Sequence, residues 1–295
     1  EGDPHNPIIT SHSEPFNLRG NPDHLKPFLY NPNAELQKAG HASFVDLPNG
    51  ETYLFFHCAR PLLPELRCVL GRETAVEKMR WTEDGWLRTP DGTNLASSQT
   101  EEPDLPAWTP EKPAEAWYAP RQMPERFAAF DRDTITLRGG ENLSSTNEVS
   151  LIARKLTSLH TALEARLDFS PTAFQHSAGV VIYYDNMNWL TLRKYWSETL
   201  NAPALGILHV ENGEKHEYER IKAPEKVWMK LLIDGTCTHF EWSADGIKYE
   251  KIGGDFATDH FSDEYSKYGE FTGAFVGLAA VDSLTHQKEA KFSLI

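Results

Sequence analysis

The sequence predicts an all-β protein, made of about one β-propeller blade followed by a β-sandwich of jelly-roll type. Three observations support this fold class. Short alternating segments recur roughly 8 to 12 residues apart, with turn-forming residues between them. No stretch shows a convincing long helical periodicity. A stretch with six prolines, residues 97–124, separates the two parts. We therefore assign residues 1–104 to the blade, 105–126 to a linker and 127–295 to the sandwich.

The first part contains two successive hairpins. The first hairpin, within residues 42–58, turns at an Asn-Gly pair, which is the strongest short hairpin signal. The second hairpin, within residues 68–89, turns at an Asp-Gly pair. Together they predict a four-stranded antiparallel unit, the size of one propeller blade of roughly 40–50 residues.

One segment of this blade suits two kinds of secondary structure, and the blade has faces that it cannot bury alone. "ETAVEKM", residues 73–79, also suits a helical turn, but Gly71 before it and Trp81 after it favour a strand. One blade cannot bury both of its faces, and stacked repeats need about three units for stability. No later stretch repeats the blade pattern, so we expect the rest of the propeller outside this chain.

The second part consists of short β segments from about residue 130 onward. Turn formers such as "DNMN", "ENGEK", "DGTC" and "SADG" separate them. "NWLTLRKYW", residues 188–196, is partly apolar on both faces and is typical of an interior strand. The predicted segments are "TITLRG", "EVSLIARKL", "TALEARLDF", "AGVVIYYD", "NWLTLRKYW", "ALGILHVE", "EYERIKA", "VWMKLLIDG", "CTHFEWSADG", "IKYEKIG", "GAFVGLAAVD" and "KFSLI".

Composition excludes some functional classes. The formal charge is −14, and an acidic surface repels phosphate backbones, so we expect no nucleic-acid partner. No run approaches the ~18 apolar residues of a membrane span. Cys58, Cys68 and Cys237 form no disulfide framework or CxxC metal pattern. The one sequon, at Asn142, matters only in a secretory context, so the compartment stays open, with the cytoplasm favoured over secretion.

The chain opens with "EGDPHNPIIT", which has no initiator Met and no signal-peptide pattern. Its Asp-Pro and Asn-Pro pairs indicate a loop. We expect a cut or processed polypeptide, and the alternative is a trimmed or disordered start.

Three stretches together resemble the C-terminal half of family 43 glycoside hydrolases, the β-xylosidases and arabinofuranosidases. They are "QKAGHASFVDLPNGETYLFFHCARPL", "CVLGRETAVEKMRWTEDGW" and "EFTGAFVGLAAVD". The proline-rich linker and "SSTNEVSLIARKLTS" fit the same architecture. The resemblance implies the last segment of a five-bladed propeller followed by a concanavalin-like sandwich.

The resemblance also implies inverting hydrolysis that releases terminal xylose or arabinose from xylo-oligosaccharides. In that reaction one carboxylic acid protonates the leaving oxygen, and a second carboxylate activates water from roughly 6.5–9.5 Å away. The family carries these carboxylates on earlier blades. We therefore expect no catalytic residue in this chain and an N-terminal propeller fragment of the same precursor as its partner. Asp46, Glu51 and Glu73 are interpreted as turn or strand-edge residues.

Arg72 in "LGRET" is the first candidate substrate-binding residue. The resemblance places it against the sugar, and a planar guanidinium can bind neighbouring hydroxyls bidentately without titrating. The alternative is a structural ion pair with Glu73 or another carboxylate. Arg60 either orients the blade beneath Arg72 or forms a surface salt bridge.

His41 in "KAGH" is the second candidate, placed by the resemblance at the propeller axis below the sugar. Some relatives hold a divalent cation there, so His41 is also a candidate metal ligand for Ca²⁺ or another divalent cation, although no cofactor is required. One His is a poor cage for Ca²⁺, which takes six to eight oxygens. Without the resemblance, His41 is a core histidine.

Phe271 in "EFTGAFVG" resembles the sandwich residue that reaches into the sugar pocket, where an aromatic face helps to exclude water. The alternative is ordinary core, a role that suits Phe275 better. Asp282 is a weak candidate for a structural Ca²⁺ ligand.

Two rival functions remain for the whole chain. A carbohydrate-binding module would need an exposed aromatic stripe, and Trp189, Tyr195 and Trp196 fall on both faces of their strand. An assembly domain is the third reading, and we expect a homo-oligomer.

Overall fold

The computed structural model describes residues 2–11, 31–103, 117–268 and 271–295. The chain divides into two compact units, Glu1–Trp108 and Thr109–Ile295. Much of the predicted linker, residues 105–116, lies outside the described residues. Within the described residues, no helix is long and apolar enough to cross a membrane.

The first unit is built on a four-stranded antiparallel sheet in the order β1-β2-β3-β4, which confirms the predicted pair of hairpins. Gly50 and Gly85 adopt φ values of 86° and 82° in the two turns, a conformation that glycine reaches without a steric cost. The segment that also suited a helical turn is a strand. The strands are β1 (Gln37–Asp46), β2 (Thr52–Ala59), β3 (Glu73–Trp81) and β4 (Leu87–Arg88).

One face of this sheet packs on a small apolar core. Ile9, near the start of the chain, belongs to this core. The start of the chain is attached to the unit by a parallel bridge between Thr10 and Leu95 and by a bidentate ion pair between Arg88 and Asp3. All residues of the edge strand β1 from His41 to Asp46 are exposed. The buried cluster consists of Ile9, Leu36, Leu54, Phe56, Cys58, Met79 and Leu87.

The second unit is a sandwich of a six-stranded and a seven-stranded sheet, which confirms the predicted fold class. The sheet orders are β12-β11-β10-β9-β16-β7 and β15-β14-β13-β8-β17-β6-β5. The first seven strands of this unit are β5 (Ala128–Asp131), β6 (Thr134–Arg138), β7 (Leu151–Lys155), β8 (His160–Asp168), β9 (His176–Asp185), β10 (Asn188–Ser197) and β11 (Ala202–Glu211). The last six are β12 (Glu214–Lys222), β13 (Lys226–Asp234), β14 (Cys237–Ser243), β15 (Glu250–Ala257), β16 (Phe275–Asp282) and β17 (Glu289–Leu294).

Each predicted segment of the second part is a strand, and only β5 was not predicted. β10 pairs with β9 on one side and β11 on the other, as an interior strand should. The described residues contain no α-helix, only short 3-10 turns at Pro124–Arg126 and Thr258–His260. The inner faces of the two sheets meet where β13 and β8 pack over β9.

Candidate substrate-binding site

His41 lies in an irregular part of the β1–β2 ladder. Gly40 pairs with His57, and the register shifts on both sides of this pair. His41 has a φ of 48°, in the left-handed region that a residue with a Cβ atom enters at a cost of roughly 1–2 kcal/mol. Bulges of this kind redirect a side chain, and strained backbone concentrates at functional sites. The His41 imidazole is exposed, as are the residues that follow it on β1.

His57 completes a pair of imidazoles with His41. The two ring centroids are 4.7 Å apart, with the planes tilted by 31°. Burial lowers the pKa of His57, and the charges of Arg72 and His41 lower it further, against a raising effect of a hydrogen bond with the Lys38 backbone. His57 is therefore neutral at neutral pH and can act as donor and acceptor together.

Arg72 stands directly before β3 and is half-buried. The preceding turn is buried, with the Gly71 amide donating to the Cys68 carbonyl at 3.0 Å and Gly71 at a φ of 64°. The charge of Arg72 lowers the pKa of His57, which lies on β2. Glu73, the residue after Arg72, pairs with Cys58, the residue after His57, so Arg72 stands at the same end of the β2–β3 ladder as His57. His41 contacts His57 from the other neighbouring strand.

Arg60 forms a surface ion pair with Glu73. Its Nε and second terminal nitrogen donate to the two carboxylate oxygens at 2.9 and 2.8 Å, and the Arg60 side chain is 53% exposed. Glu73 is the first residue of β3, directly after Arg72. The surface-pair interpretation of Arg60 is therefore confirmed, and the pair holds the start of β3, the strand that directly follows Arg72.

Phe271 belongs to the second unit and is 40% exposed. Its φ is 63°, and Gly273 follows at 75°, so the chain turns tightly before β16 begins. Phe275 is partly buried against the core and meets Tyr118 edge-on at a centroid distance of 6.2 Å. The two phenylalanines thus differ in exposure, as a surface role for Phe271 and a packing role for Phe275 require.

Asp282 anchors a loop in the second unit. It is fully buried, and its carboxylate oxygens accept hydrogen bonds from the backbone amides of residues 284, 285, 287 and 288 and from the Thr285 hydroxyl, at 2.7–3.1 Å. Burial raises the pKa of this carboxyl, but these hydrogen bonds outweigh burial and leave the pKa well below its usual range. These protein donors and His176 at 3.3 Å occupy the carboxylate, so it is a poor Ca²⁺ ligand.

The described residues do not build a Ca²⁺ cage around His41. His41 contacts the imidazole of His57, and the guanidinium of Arg72 acts on His57 in turn. Neither group is an oxygen ligand, which Ca²⁺ requires. Among the described residues, three or more mutually close metal-ligating side chains occur at one place, in the second unit. A cation near His41 would need ligands other than these side chains.

His57 is the residue that reading the sequence missed. The pattern carried a signal, because the Asn-Gly turn fixes the register, with Asp46 opposite Thr52. Counting back residue by residue from that pair reaches His41 and His57 together. The bulge shifts the final pairing by one residue, to Gly40 and His57, but leaves the rings in contact.

The aromatic residues considered for a binding face are largely buried. Trp189 is 1% exposed and donates its indole N–H to Ser144 Oγ at 3.1 Å, and Tyr195 is 7% exposed and accepts from Arg220. They form no exposed stripe. A cavity of about 270 Å³ opens elsewhere in the second unit, lined by residues that include Tyr118, Tyr183, Asp185, Asn186 and Phe275.

Two family models match this chain. The model for the β-xylosidase C-terminal concanavalin A-like domain matches residues 108–295. The model for glycosyl hydrolases family 43 matches residues 3–87, which include both His41 and Arg72.

Individual relatives agree with these matches. Xylosidase/arabinosidase 43B of Humicola insolens is 32% identical over 88% of this chain and 52% of its own length. The β-xylosidase of Bacillus subtilis is 29% identical over 98% of this chain and 56% of its own. The crystal structure of xylan β-1,4-xylosidase from Bacillus halodurans superposes with a TM-score of 0.83 at 33% identity, over 98% of this chain and 56% of that one. The chain thus spans about half the length of these relatives.

Proposed function

The chain belongs to glycosyl hydrolases family 43, and on this premise we propose that it supplies substrate-contacting residues to an inverting glycosidase. The proposed reaction releases terminal xylose or arabinose from xylo-oligosaccharides. The catalytic acid and base would come from an N-terminal segment or companion chain of the same precursor. The observation that carries the proposal is the grouping of Arg72 and His41 around His57, inside the stretch that the family 43 model matches.

The grouped side chains suit a sugar with neighbouring hydroxyls. Arg72 offers a planar fork of N–H donors, which can bind two adjacent hydroxyl oxygens. His57 is held neutral by burial and by Arg72, so it adds no competing charge. His41 is exposed, so a ligand can reach it. In this proposal, these residues orient the ring and transfer no proton.

The carboxylates of the first unit that were considered have structural partners instead. Asp46 accepts a hydrogen bond from Thr52, and Glu51 forms an ion pair with Lys78. Glu73 is bound bidentately by Arg60. An acid–base pair for single displacement needs two carboxyls on opposite faces of the sugar, roughly 6.5–9.5 Å apart with room for water. These partners favour placing that pair outside this chain.

We extend the proposal to the remaining expected contacts. Phe271, exposed at a tight turn, would present its ring to the same sugar and help to exclude water. The N-terminal propeller fragment and further copies of this chain would be its protein partners. A divalent cation near His41 would take its ligands from water and from residues beyond those described.

One observation favours a second candidate, a carbohydrate-binding sandwich without catalysis. The cavity of the second unit combines the half-exposed ring of Tyr118 with the polar groups of Asp185 and Asn186. Sugars bind in such combinations of aromatic faces and polar side chains. Isothermal titration with xylotriose, on this chain and on its Tyr118→Ala variant, tests this candidate. Binding that Tyr118→Ala abolishes would support it.

The enzyme proposal is tested by an activity assay and a composition assay together. Intact-mass analysis of the purified protein identifies any companion polypeptide, and an aryl β-xyloside or arabinoside reports hydrolysis. We expect hydrolysis only when the companion or the uncleaved precursor is present, and loss of activity when it is removed. Hydrolysis by the 295-residue chain alone would contradict the proposal.

A further inference from the structure

Three metal-ligating side chains meet on the seven-stranded sheet of the second unit, apart from the residues proposed to bind sugar. They are Cys237 and His239 on β14 and Asp255 on β15. One ligand atom from each, the thiol sulfur, a ring nitrogen and a carboxylate oxygen, lies within 4.8 Å of the other two. The Cys237 thiol already donates to Asp255 Oδ1 at 3.2 Å.

Strand geometry explains why these side chains share one face. Cys237 and His239 are two residues apart on a strand and therefore point the same way. The alternating residues, Thr238 and Phe240, are fully buried in the sandwich core. The trio therefore stands on the outer face of the sheet, within reach of a solvent-borne ligand.

An irregularity in β15 sets the position of the carboxylate. Thr238 pairs with Phe256 and Phe240 with Ile252, so residues 253–255 face His239 alone. Gly253 has a φ of 73°, which permits the extra residues to bulge from the ladder. Bulges commonly re-aim a side chain, and here the bulge ends at Asp255.

His239 provides an independent observation. Its Nδ1 atom is buried and has no hydrogen-bond partner among the described residues. An unsatisfied buried polar atom costs free energy, and such atoms in native proteins often mark an unseen water or ion. The imidazole that lacks a partner is the one that stands beside the thiol and the carboxylate.

The donor set selects one class of ion. Thiolate, imidazole and carboxylate are the ligands of Zn²⁺, whereas Ca²⁺ and Mg²⁺ take oxygen ligands alone. Bonds of about 2.0–2.3 Å around a tetrahedral Zn²⁺ separate neighbouring ligand atoms by roughly 3.5 Å, so rotamer adjustments suffice here. We propose that Cys237, His239 and Asp255 form a three-ligand Zn²⁺ site on the sandwich, with a fourth position open to water.

Nearby charges define how the site would load. Lys251 Nζ lies 2.6 Å from Asp255 Oδ1 and would be displaced by the ion. The Cys237 thiol donates a hydrogen bond to Asp255 Oδ1, so it carries a proton before metal binds. Binding exchanges the thiol proton for the metal: the S–H bond breaks, an S–Zn bond forms and one proton goes to solvent. No electron is transferred.

Co²⁺ and Zn²⁺ titrations of the metal-free chain test the proposal. Co²⁺ should give a thiolate-to-metal charge-transfer band at one equivalent per chain, and Zn²⁺ should abolish the band. Loss of a residue that only hydrogen-bonds to a metal ligand costs about 10- to 100-fold in metal affinity. Loss of a ligand itself should cost more, so Cys237→Ser and His239→Ala should each lower Zn²⁺ affinity by at least about 100-fold. Lys251→Met should raise the affinity, because it removes the competing cation.

His160→Ala is the matched control. This exposed imidazole binds Asp234, which pairs with Cys237 in the next strand, yet it lies outside the ligand set. The control should bind Zn²⁺ as the wild type does. A wild type that gives no charge-transfer band, or a Cys237→Ser variant that binds Zn²⁺ unchanged, would overturn the site.

Thiol alkylation provides a readout that needs no variant. Cys58 and Cys68 are buried and in no disulfide, whereas Cys237 is partly exposed, so Cys237 should be alkylated first in the native protein. Stoichiometric Zn²⁺ should slow that alkylation, and Mg²⁺ should not. Equal rates with and without Zn²⁺ would contradict the proposal even where a variant fails to fold.

Discussion

The two units expose their strands to very different extents. In the first unit, the outer part of β1 is exposed, with Phe44 at 52% and Val45 at 40%. In the sandwich, the interior strand β10 buries nearly all of its residues between neighbouring strands and the opposite sheet. The sandwich therefore closes its own core, while the edge strand β1 of the single sheet is exposed on both of its faces from His41 to Asp46. The candidate sugar-binding residues His41 and Arg72 belong to the less covered unit.

The largest expected contrast is the cost of truncating a phenylalanine. Phe240→Ala, at a fully buried position of the sandwich, should lower the free energy of unfolding by about 3–5 kcal/mol, because it leaves a cavity in a closed core. Phe44→Ala, the control in the first unit, loses mainly an edge contact with Trp81 and should cost no more than about 1 kcal/mol. Urea denaturation measures both, and equal costs would contradict the difference in burial between the two units.

The next largest effect on the free energy of unfolding is expected at Asp282, the buried carboxylate of the sandwich. Asp282→Asn replaces one carboxylate oxygen, which accepts hydrogen bonds from N–H donors, with an NH2 group that cannot accept them. We therefore expect the free energy of unfolding to fall by roughly 2–3 kcal/mol at neutral pH. The folded-state pKa of Asp282 is depressed, so its contribution is present above the unfolded-state pKa of about 3.9 and is lost as pH falls below it.

Asp168→Asn is the control for this carboxylate. Its side chain is 49% exposed and 3.9 Å from Lys226, so the loss should stay within about 0.5 kcal/mol. Unfolding curves between pH 7 and pH 3 distinguish the two. If Asp282→Asn were as mild as Asp168→Asn, the loop anchor assigned to Asp282 would be wrong.

In the first unit, pH should act through His57. Its folded-state pKa is lowered from 6.5 by burial first, and then by the charges of Arg72 and His41. The unfolded state then binds more protons, so stability is full above about pH 6.5 and falls as pH drops below it toward the folded pKa. Thermal unfolding at pH 7.5 and 5.5 should show a smaller pH dependence for His57→Gln. An unchanged dependence would show that His57 is not the group responsible.

The smallest expected effect is at the surface ion pair. Arg60→Ala removes a bidentate but exposed partner of Glu73 and should cost less than about 1 kcal/mol. Raising the salt concentration should shrink this cost, because exposed charges are screened. A loss of several kcal/mol would mean that the pair stabilises the unit far more than its exposure suggests.

Local signals in the sequence account for most of the fold. The two turn pairs fixed both hairpins, and period-two alternation located β6 through β17. β5, four residues long, was missed because so short a segment carries little periodicity. The order of the strands in the sheets could not be predicted from local patterns, because β16 lies between β9 and β7, which are far from it in the sequence.

Side-chain clusters were harder to predict than strands. His41 and Arg72 came from a resemblance, whereas His57 required counting a register through a bulge. The grouping of Cys237 and His239 with Asp255 depends on a bulge in β15 that alternation alone does not reveal. Such clusters join residues of different strands, and sequence spacing does not encode their distance.

The central claim is that Arg72 contacts the sugar in the full-length protein. The most direct measurement is kcat/KM for an aryl xyloside or arabinoside with Arg72→Ala, alongside Arg80→Ala as an exposed arginine on β3, the strand that follows Arg72. A hydrogen bond to a charged group contributes about 1.5–3 kcal/mol, so we predict a loss of roughly 10- to 100-fold for Arg72→Ala and less than about 2-fold for Arg80→Ala. Unchanged hydrolysis by a folded Arg72→Ala enzyme would contradict the claim.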